Sequence, residues 1–211
     1  MTTTPRDLLM VAMDMPSSRP VEPGDLSLAL AGAELIEFLR ARAVELKHDR
    51  VVPSDTVDLA DVTLPDDRLL TEGLAAVVRE VPYEPVGEWL WRRGRGLAVA
   101  YLAAFEAEGQ LSRQRDRRWG IFWTSRKVLV DTPARRRADR RWAADEPILA
   151  ALAAAAGIYD KRTADSPEVT DQAAAAVISA VTDAVAELAE ERQRRASKLN
   201  DAAVTNYRRG Y

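Results

Sequence analysis

The stretch LSLALAGAELIEFLRARA, residues 26–43, decides the fold. Its apolar residues lie around most of the helical circumference rather than along one stripe, which is typical of a helix buried on every side. The sequence therefore predicts that this segment is the central helix of a mainly α-helical domain.

Further helices are predicted on both sides of this central segment. Residues 5–14 begin with a proline at the first helical position and repeat apolar residues at helical spacing. Other helices are predicted over residues 66–80, 85–93, 95–109, 132–142 and 145–158, and from Asp165 onward. Several of these segments are rich in alanine, which permits neighbouring helices to approach closely.

Two regions predict β-structure instead. Short β-rich runs within residues 44–64 indicate small strands or an irregular hairpin, and residues 111–130 read as two strands around a polar turn. The predicted fold is a compact single-domain helical bundle with one or two small β-hairpins. It occupies residues 5–203, between a flexible N-terminus at 1–4 and a frayed C-terminal tail at 204–211.

The composition argues against several kinds of functional site. The 211 residues include no cysteine and a single histidine, His48. Disulfide scaffolds, zinc fingers, iron–sulfur clusters and multi-histidine metal sites are therefore excluded. No carboxylates have a recognisable metal or acid–base spacing, and no Gly-Lys-Ser/Thr follows the glycines of RRGRG at 92–96. We expect no metal, no cofactor and no enzymatic activity.

Two further absences bear on where the protein resides. The sequence has no run of about 18 uncharged apolar residues, the length that a membrane-spanning helix requires. The first residues, MTTTPRDLLMVAMDM, contain Asp7 and Asp14 but no basic n-region. We therefore expect a cytoplasmic protein without a secretory signal or a membrane span.

Charge is unevenly distributed along the chain. The net charge is −3, but residues 92–142 hold 14 Lys+Arg against 5 Asp+Glu, whereas residues 1–91 hold 8 against 17. This basic block predicts a surface for a polyanion, such as phosphate headgroups, nucleic acid or an acidic partner. The alternative is a solvated arginine-rich face, since the whole chain has 26 Arg and only 4 Lys.

The hairpin predicted at 111–130 concentrates basic and aromatic residues. Arginines crowd its turn and aromatic and aliphatic residues follow directly: Arg113, Arg115, Arg117, Arg118, Trp119, Ile121, Phe122 and Trp123. Guanidinium groups can meet lipid phosphates while rings lie at headgroup depth, although the same mixture suits nucleic acid. The alternative places Trp119, Ile121 and Trp123 in the core and leaves the arginines solvated. The preceding helix has no row of side chains that could read base edges, which makes nucleic acid the less favoured partner.

Four segments of the sequence, taken in order, resemble the Golgi phosphoprotein 3 family, which has many bacterial members. They are RDLLMVAMDM, ALAGAELIEFLRARAVEL, LAAFEAEGQLSRQRDRRWGIFWTSR and DEPILAALAAAAGI, and the likeness covers residues 5–190. The resemblance implies a mainly helical peripheral membrane protein. It also implies a basic pocket, with which eukaryotic members bind phosphatidylinositol 4-phosphate, and a hydrophobic hairpin that contacts the bilayer.

The resemblance further implies where a headgroup site would lie. Arg95 falls on one arginine of the family pocket, and Arg92 and Arg93 stand beside it. The other pocket positions, two arginines and a tryptophan in the family, fall on Ala98, Ala31 and Glu22. A general affinity for anionic phospholipid through Arg92, Arg93 and Arg95 is therefore expected, rather than selective recognition of phosphatidylinositol 4-phosphate.

These observations support one leading hypothesis and two alternatives. The leading hypothesis is a non-enzymatic, cytoplasmic protein that associates reversibly with the inner face of the membrane. The alternatives are a nucleic-acid-binding protein that uses the same basic block, and a protein–protein adaptor in which this block docks acidic segments, including those of a second copy. The sequence leaves the physiological lipid, the oligomeric state and the cellular process open.

Overall fold

A computed structural model describes residues 3–14, 21–54, 62–118, 122–158 and 168–209, without the side chains of 113–118, 122–126 and 201–209. Most of the residues in this part are helical, and two small antiparallel sheets have two strands each. The elements in chain order are α1 (Thr4–Asp14), α2 (Pro23–Arg40), β1 (Val44–Lys47), β2 (Arg50–Pro53), α3 (Arg68–Ala75), α4 (Val86–Arg93), α5 (Leu97–Ala107), β3 (Leu111–Arg118), β4 (Phe122–Leu129), α6 (Pro133–Ala143), α7 (Pro147–Ala155) and α8 (Gln172–Arg209). The predicted fold class, mainly α with small hairpins, is confirmed.

The central helix is α2. It packs against α1, α4, α5, α7 and α8, and all of its residues from Leu26 to Ile36 are buried. It begins three residues earlier than predicted because Pro23 occupies its first turn, where the fixed φ of proline suits a helix. It ends at Arg40 rather than at residue 43. Arg42 adopts a left-handed φ of 56°, and the next amide donates back to the carbonyl of Phe38, which closes the helix.

The contact between α2 and α8 depends on a missing side chain. A Cβ at Gly32 would lie 2.4 Å from Cγ2 of Val181 and 3.5 Å from Cγ1 of Val177. Both valines are fully buried. The small residue therefore lets α8 approach the central helix closely, as the alanine-rich composition predicts.

The other helices also differ from the prediction at one or both ends, and the largest shifts are at the end of α3 and the start of α8. α3 ends at Ala75 rather than at residue 80, and two β-branched residues of low helix propensity follow soon after, at 77 and 78. The predicted start of the last helix, Asp165, lies outside the described residues, but residues 168–171 are not helical and α8 begins at Gln172. The carboxylate of Asp171 caps this helix by accepting hydrogen bonds from the amides of Ala173 and Ala174.

The described residues at the two chain ends lie in or beside helices. α8 continues to Arg209, through residues that the sequence assigns to a frayed tail. Thr3 and Thr4, assigned to a flexible N-terminus, are buried. The amide of Thr4 donates to Oε1 of Glu37 at 3.1 Å, which ties the start of α1 to α2.

Both predicted hairpins are present. β1 pairs with β2, with Val44 opposite Pro53, and β3 pairs with β4, with Leu111 opposite Leu129 at the base of the ladder. Residues 57–61 of the first β-rich region lie outside the described residues, and 62–64 form no strand.

One segment of α8, Gln172–Asn200, is long and apolar enough by length and composition to cross a membrane. Four of its apolar residues belong to the core: Ala174, Val177, Val181 and Ala184. The core helix of a soluble domain passes the same test, so this feature is weak evidence for a membrane span.

Candidate anion-binding site

The predicted headgroup arginines meet at the turn between α4 and α5, formed by Gly94, Arg95 and Gly96. A Cβ at Gly94 would lie 2.5 Å from the carbonyl oxygen of Leu90 and 3.4 Å from that of Ser27, so this turn packs tightly against the start of α2. Gly96 has a φ of +67°, in the left-handed region that favours glycine. The two glycines therefore hold Arg95 at a sharp corner beside the N-terminal end of the central helix.

Arg93 is directed into the core, where it pairs with Glu34. Its Nε lies 2.6 Å from Oε2 of Glu34 and its Nη2 lies 2.9 Å from Oε1, while Nη2 also donates to the carbonyl of Leu69 at 2.7 Å. Only 15% of the Arg93 side chain is exposed, and Glu34 is fully buried. Arg93 thus has a structural partner that the local sequence does not reveal.

Burial also governs the ionisation of Glu34. It raises the pKa of this carboxyl, and the hydrogen bonds from Arg93 and from the hydroxyl of Tyr101, which lies 2.9 Å from Oε1, partly offset that rise. The buried carboxylate consequently depends on Arg93 for its compensating charge.

Arg92 is engaged by a second carboxylate. Its Nε and Nη2 each lie 2.6 Å from an oxygen of Glu84, its Nη2 donates to the carbonyl of Ala76, and its guanidinium lies 5.2 Å from the ring centroid of Trp89. The side chain is 43% exposed. Its positive charge is nevertheless compensated locally by a two-point ion pair.

Arg95 differs from both neighbours. It is exposed, and among the residues that the structure describes it has no hydrogen-bond or ion-pair partner. It lines a pocket of about 260 Å³, whose walls come from the first turns of α2, from the α4–α5 turn and from Leu188 of α8. Of the three predicted headgroup arginines, Arg95 is the one that lines this pocket and has no described ion-pair partner.

The start of α2 adds to the positive potential of this pocket. Pro23, Gly24 and Ser27 line it, and the N-terminal end of an 18-residue helix carries a partial positive charge. Two acidic residues lie at this end of α2: Asp25 is paired with Arg192 of α8 at 2.8 Å, and Glu22, the N-cap residue, is exposed. An anion in the pocket would therefore meet Arg95 and a helix N-terminus together.

The other positions that the family resemblance assigns to the pocket carry no positive charge. Ala98 and Ala31 are buried, and the carbonyl of Ala31 accepts a hydrogen bond from the indole of Trp89. Glu22 is exposed just before α2. Trp91, which the sequence reasoning missed, lines the pocket instead. The helical periodicity of the sequence could have identified Trp91. In a helix that buries Trp89 and Leu90, the next residue lies toward the outward face.

Most of the described side chains of the basic block 92–142 are neutralised across the fold. Besides Arg92 and Arg93, ion pairs join Arg135 to Asp14 at 2.8 Å, Arg141 to the buried Asp7 at 2.5 Å, and Lys127 to Glu106. The acidic N-terminal third of the chain supplies several of these carboxylates. Four arginines of this block, Arg92, Arg93, Arg135 and Arg141, are thus paired with carboxylates that lie outside it in the sequence.

The basic hairpin is rooted away from Arg95. α5 has 11 residues, or about 16 Å at 1.5 Å per residue, and the β3–β4 ladder begins beyond its C-terminal end. The structure therefore gives Arg92, Arg93 and Arg95 three different surroundings and places the hairpin base at the opposite end of α5 from Arg95.

The rest of the predicted hairpin contact is only partly described. Backbone register pairs Arg113 with Lys127, Arg115 with Ser125, Arg117 with Trp123 and Arg118 with Phe122. The side chains of the hairpin residues 113–118, 122 and 123 lie outside the described part, as do Trp119 and Ile121 entirely.

Within the described ranges, no group of three or more Asp, Glu or His side chains is arranged to hold a metal ion.

Comparison with known proteins adds one finding to this geometry. The family model described as Golgi phosphoprotein 3 (GPP34) matches residues 5–199, while a search of the curated proteins gave no match. The matched range includes α1, the central helix, the α4–α5 turn, both hairpins and most of α8. The chain therefore belongs to the Golgi phosphoprotein 3 family.

Proposed function

We propose that this protein binds anionic phospholipid headgroups at a membrane surface, as a non-enzymatic peripheral protein, through the pocket at Arg95. The observation that carries the proposal is the exposed guanidinium of Arg95, which has no described partner and lines a cavity beside the start of α2. A guanidinium binds phosphate oxygens in a two-point geometry and retains its charge at any physiological pH. Family membership supports the proposal, because the resemblance implies a basic lipid pocket at this place.

The expected ligand is a broad class of anionic lipid rather than one phosphoinositide. The lining of the pocket includes one arginine, and the family's other two pocket arginines fall on Ala98 and Ala31 in this chain. Each basic residue near an anionic surface contributes about 1 kcal/mol. Binding through Arg95 and the hairpin arginines should therefore be weak, reversible and sensitive to salt, which suits transient association with the inner face of a membrane.

Vesicle flotation tests the role of Arg95. We expect the protein to float with vesicles of phosphatidylcholine and phosphatidylserine, but not with phosphatidylcholine alone. Arg95→Gln should weaken this binding several-fold. Arg140→Gln is the matched control, since Arg140 is also exposed without a described partner but lies on α6. Equal recovery on both vesicle types would contradict the proposal, as would equal losses for the two variants.

A second variant tests the hairpin separately. Replacing Arg115, Arg117 and Arg118 together by glutamine should lower recovery on the anionic vesicles, because three charges would be removed from the proposed contact. Unchanged recovery would remove the hairpin from the proposal and leave the pocket as the contact.

A further inference from the structure

Two apolar side chains flank Arg95 on the outside of the α4–α5 corner, which we define as residues 91–99. Trp91 is 37% exposed and Val99 is 65% exposed, and both line the same pocket as Arg95. Single exposed apolar residues are common on protein surfaces. Here, however, two large ones stand on either side of an arginine with no described partner, so the corner presents apolar and cationic groups together.

The fold holds these side chains outward. On α4, the neighbours Trp89 and Leu90 are buried, so helical phase turns Trp91 away from the core. On α5, the buried residues include Leu97, Ala98 and Tyr101, which leaves Val99 on the opposite face. Close packing of the intervening turn against α2 fixes both helices in this orientation.

The space behind this rim is also largely apolar. Leu28 of α2 and Leu188 of α8 line the pocket alongside Trp91 and Val99. A free phosphate would satisfy Arg95 but would offer these four side chains no apolar contact. A phosphate that belongs to a bilayer would supply both, because glycerol and acyl groups lie directly beneath it.

We propose that Trp91 and Val99 enter the interfacial layer of the bilayer while Arg95 binds a lipid phosphate, so that the corner is a membrane-penetrating element separate from the β3–β4 hairpin. This inference rests on the proposed function for its lipid partner. Indole rings are favoured at the depth of lipid headgroups, and arginine reaches the phosphates at the same depth. The corner would then select membrane-bound phosphate over soluble phosphate.

Substitution of the rim tests this inference without removing Arg95. We expect Trp91→Ser combined with Val99→Ser to bind vesicles of phosphatidylcholine and phosphatidylserine about tenfold more weakly than the unmodified protein, because two apolar groups lose their contact with the bilayer. The single change Val99→Ser should give an intermediate loss. Val81→Ser is its matched control, since Val81 is 78% exposed outside the corner, and it should bind as the unmodified protein does.

The outcomes separate this inference from the proposed function. If the unmodified protein does not float with anionic vesicles, the proposed function fails and this inference fails with it. If the unmodified protein floats and the double variant floats equally well, the corner does not penetrate and only this inference is overturned. The affected residues are exposed, so the variants should retain the circular dichroism spectrum of the unmodified protein.

Fluorescence provides a second, direct readout of depth. The chain has five tryptophans, and Trp91→Phe isolates the contribution of one while keeping an aromatic ring at the rim. With vesicles whose acyl chains carry bromine, a quencher, we expect weaker quenching in Trp91→Phe than in the unmodified protein at equal binding. Identical quenching would place Trp91 outside the bilayer.

Light scattering tests whether the corner instead binds a second copy of the chain. If the rim variants lose a dimer that the unmodified protein forms, and vesicle binding is unchanged, the corner is a contact between two copies and the inference is overturned.

Discussion

Arg93→Met is the substitution that most sharply separates a structural arginine from a ligand-binding one. The side chain of Arg93 makes three hydrogen bonds, two to Glu34 at 2.6 and 2.9 Å and one to the carbonyl of Leu69 at 2.7 Å. Methionine fills similar space but supplies neither the charge nor the donors. The variant would leave the Glu34 carboxylate fully buried, with the hydroxyl of Tyr101 as its remaining described partner.

The expected loss of stability follows from this arrangement. Removing one partner of a buried ion pair costs about 3–5 kcal/mol, since the other charge is left without compensation. In a chain of this length, about 1 kcal/mol lowers the unfolding temperature by roughly 2–4 °C. We therefore expect Arg93→Met to unfold roughly 6–20 °C below the unmodified protein. Arg95→Met is the control, because an exposed side chain without partners should change stability by no more than about 0.5 kcal/mol.

The destabilisation should depend on pH in a defined direction. Burial raises the pKa of Glu34 above the value of an unfolded chain, and loss of Arg93 would raise it further. The folded variant then binds more protons than the unfolded chain between these two pKa values, so its stability falls as pH rises through that window. The gap between Arg93→Met and the unmodified protein should accordingly be smaller near about pH 4, where unfolded glutamate titrates, than at neutral pH.

Thermal unfolding followed by circular dichroism or calorimetry measures both effects. If Arg93→Met unfolds at the same temperature as Arg95→Met, or if its deficit grows as pH falls, the assignment of Arg93 to the fold is wrong. If Arg93→Met keeps the stability of the unmodified protein but loses vesicle binding, Arg93 belongs to the headgroup site instead.

Three further predictions concern packing, capping and salt. Gly32→Val should lower the free energy of unfolding by about 1–3 kcal/mol, because a Cβ there would lie 2.4 Å from Val181; equal stability in a denaturant titration would show that α8 does not pack this closely. Thr132→Ala should cost about 1 kcal/mol, since its hydroxyl caps α6 by accepting from the amide of Arg135 at 3.1 Å, whereas Thr132→Ser should cost little; an equal loss in both variants would speak against the cap. Binding to anionic vesicles should fall as salt rises, because the Debye length shrinks from about 10 Å at 0.1 M to about 3 Å at 1 M; flotation that does not change with salt would rule out an electrostatic contact.

Local patterns in the sequence were sufficient for much of the architecture. The apolar residues of 26–43 lie around most of the helical circumference, which predicts a buried helix because no wide face of it favours water. Thr132 followed by Pro133 predicts the start of α6, since capping and a fixed φ are properties of adjacent residues. The hairpins are likewise predicted by β-rich runs around polar turns. The predicted helix ends were wrong where the sequence allows a helix cap or a left-handed residue at more than one position, as at Asp171 and Arg42.

The candidate site shows what such patterns cannot decide. Arg92, Arg93 and Arg95 are close neighbours of one residue type, and the sequence treats them as one cluster. Their partners lie outside this cluster: Glu34 is 59 residues from Arg93, and Glu84, in the loop before α4, is 8 residues from Arg92. Only the packing of α2 and α3 against α4 determines which guanidinium is neutralised and which is left exposed.

The same division holds for the whole protein. Its helical content and its central helix follow from the sequence alone, because hydrophobic periodicity, propensity and capping act over a few residues. The tertiary structure alone decided that Arg92 and Arg93 are paired with carboxylates, that Arg95 has no described partner, and that Trp91 and Val99 line the same pocket as Arg95. The physical reason is that charge compensation and burial depend on which side chains meet in space, and those meetings join residues far apart in the chain.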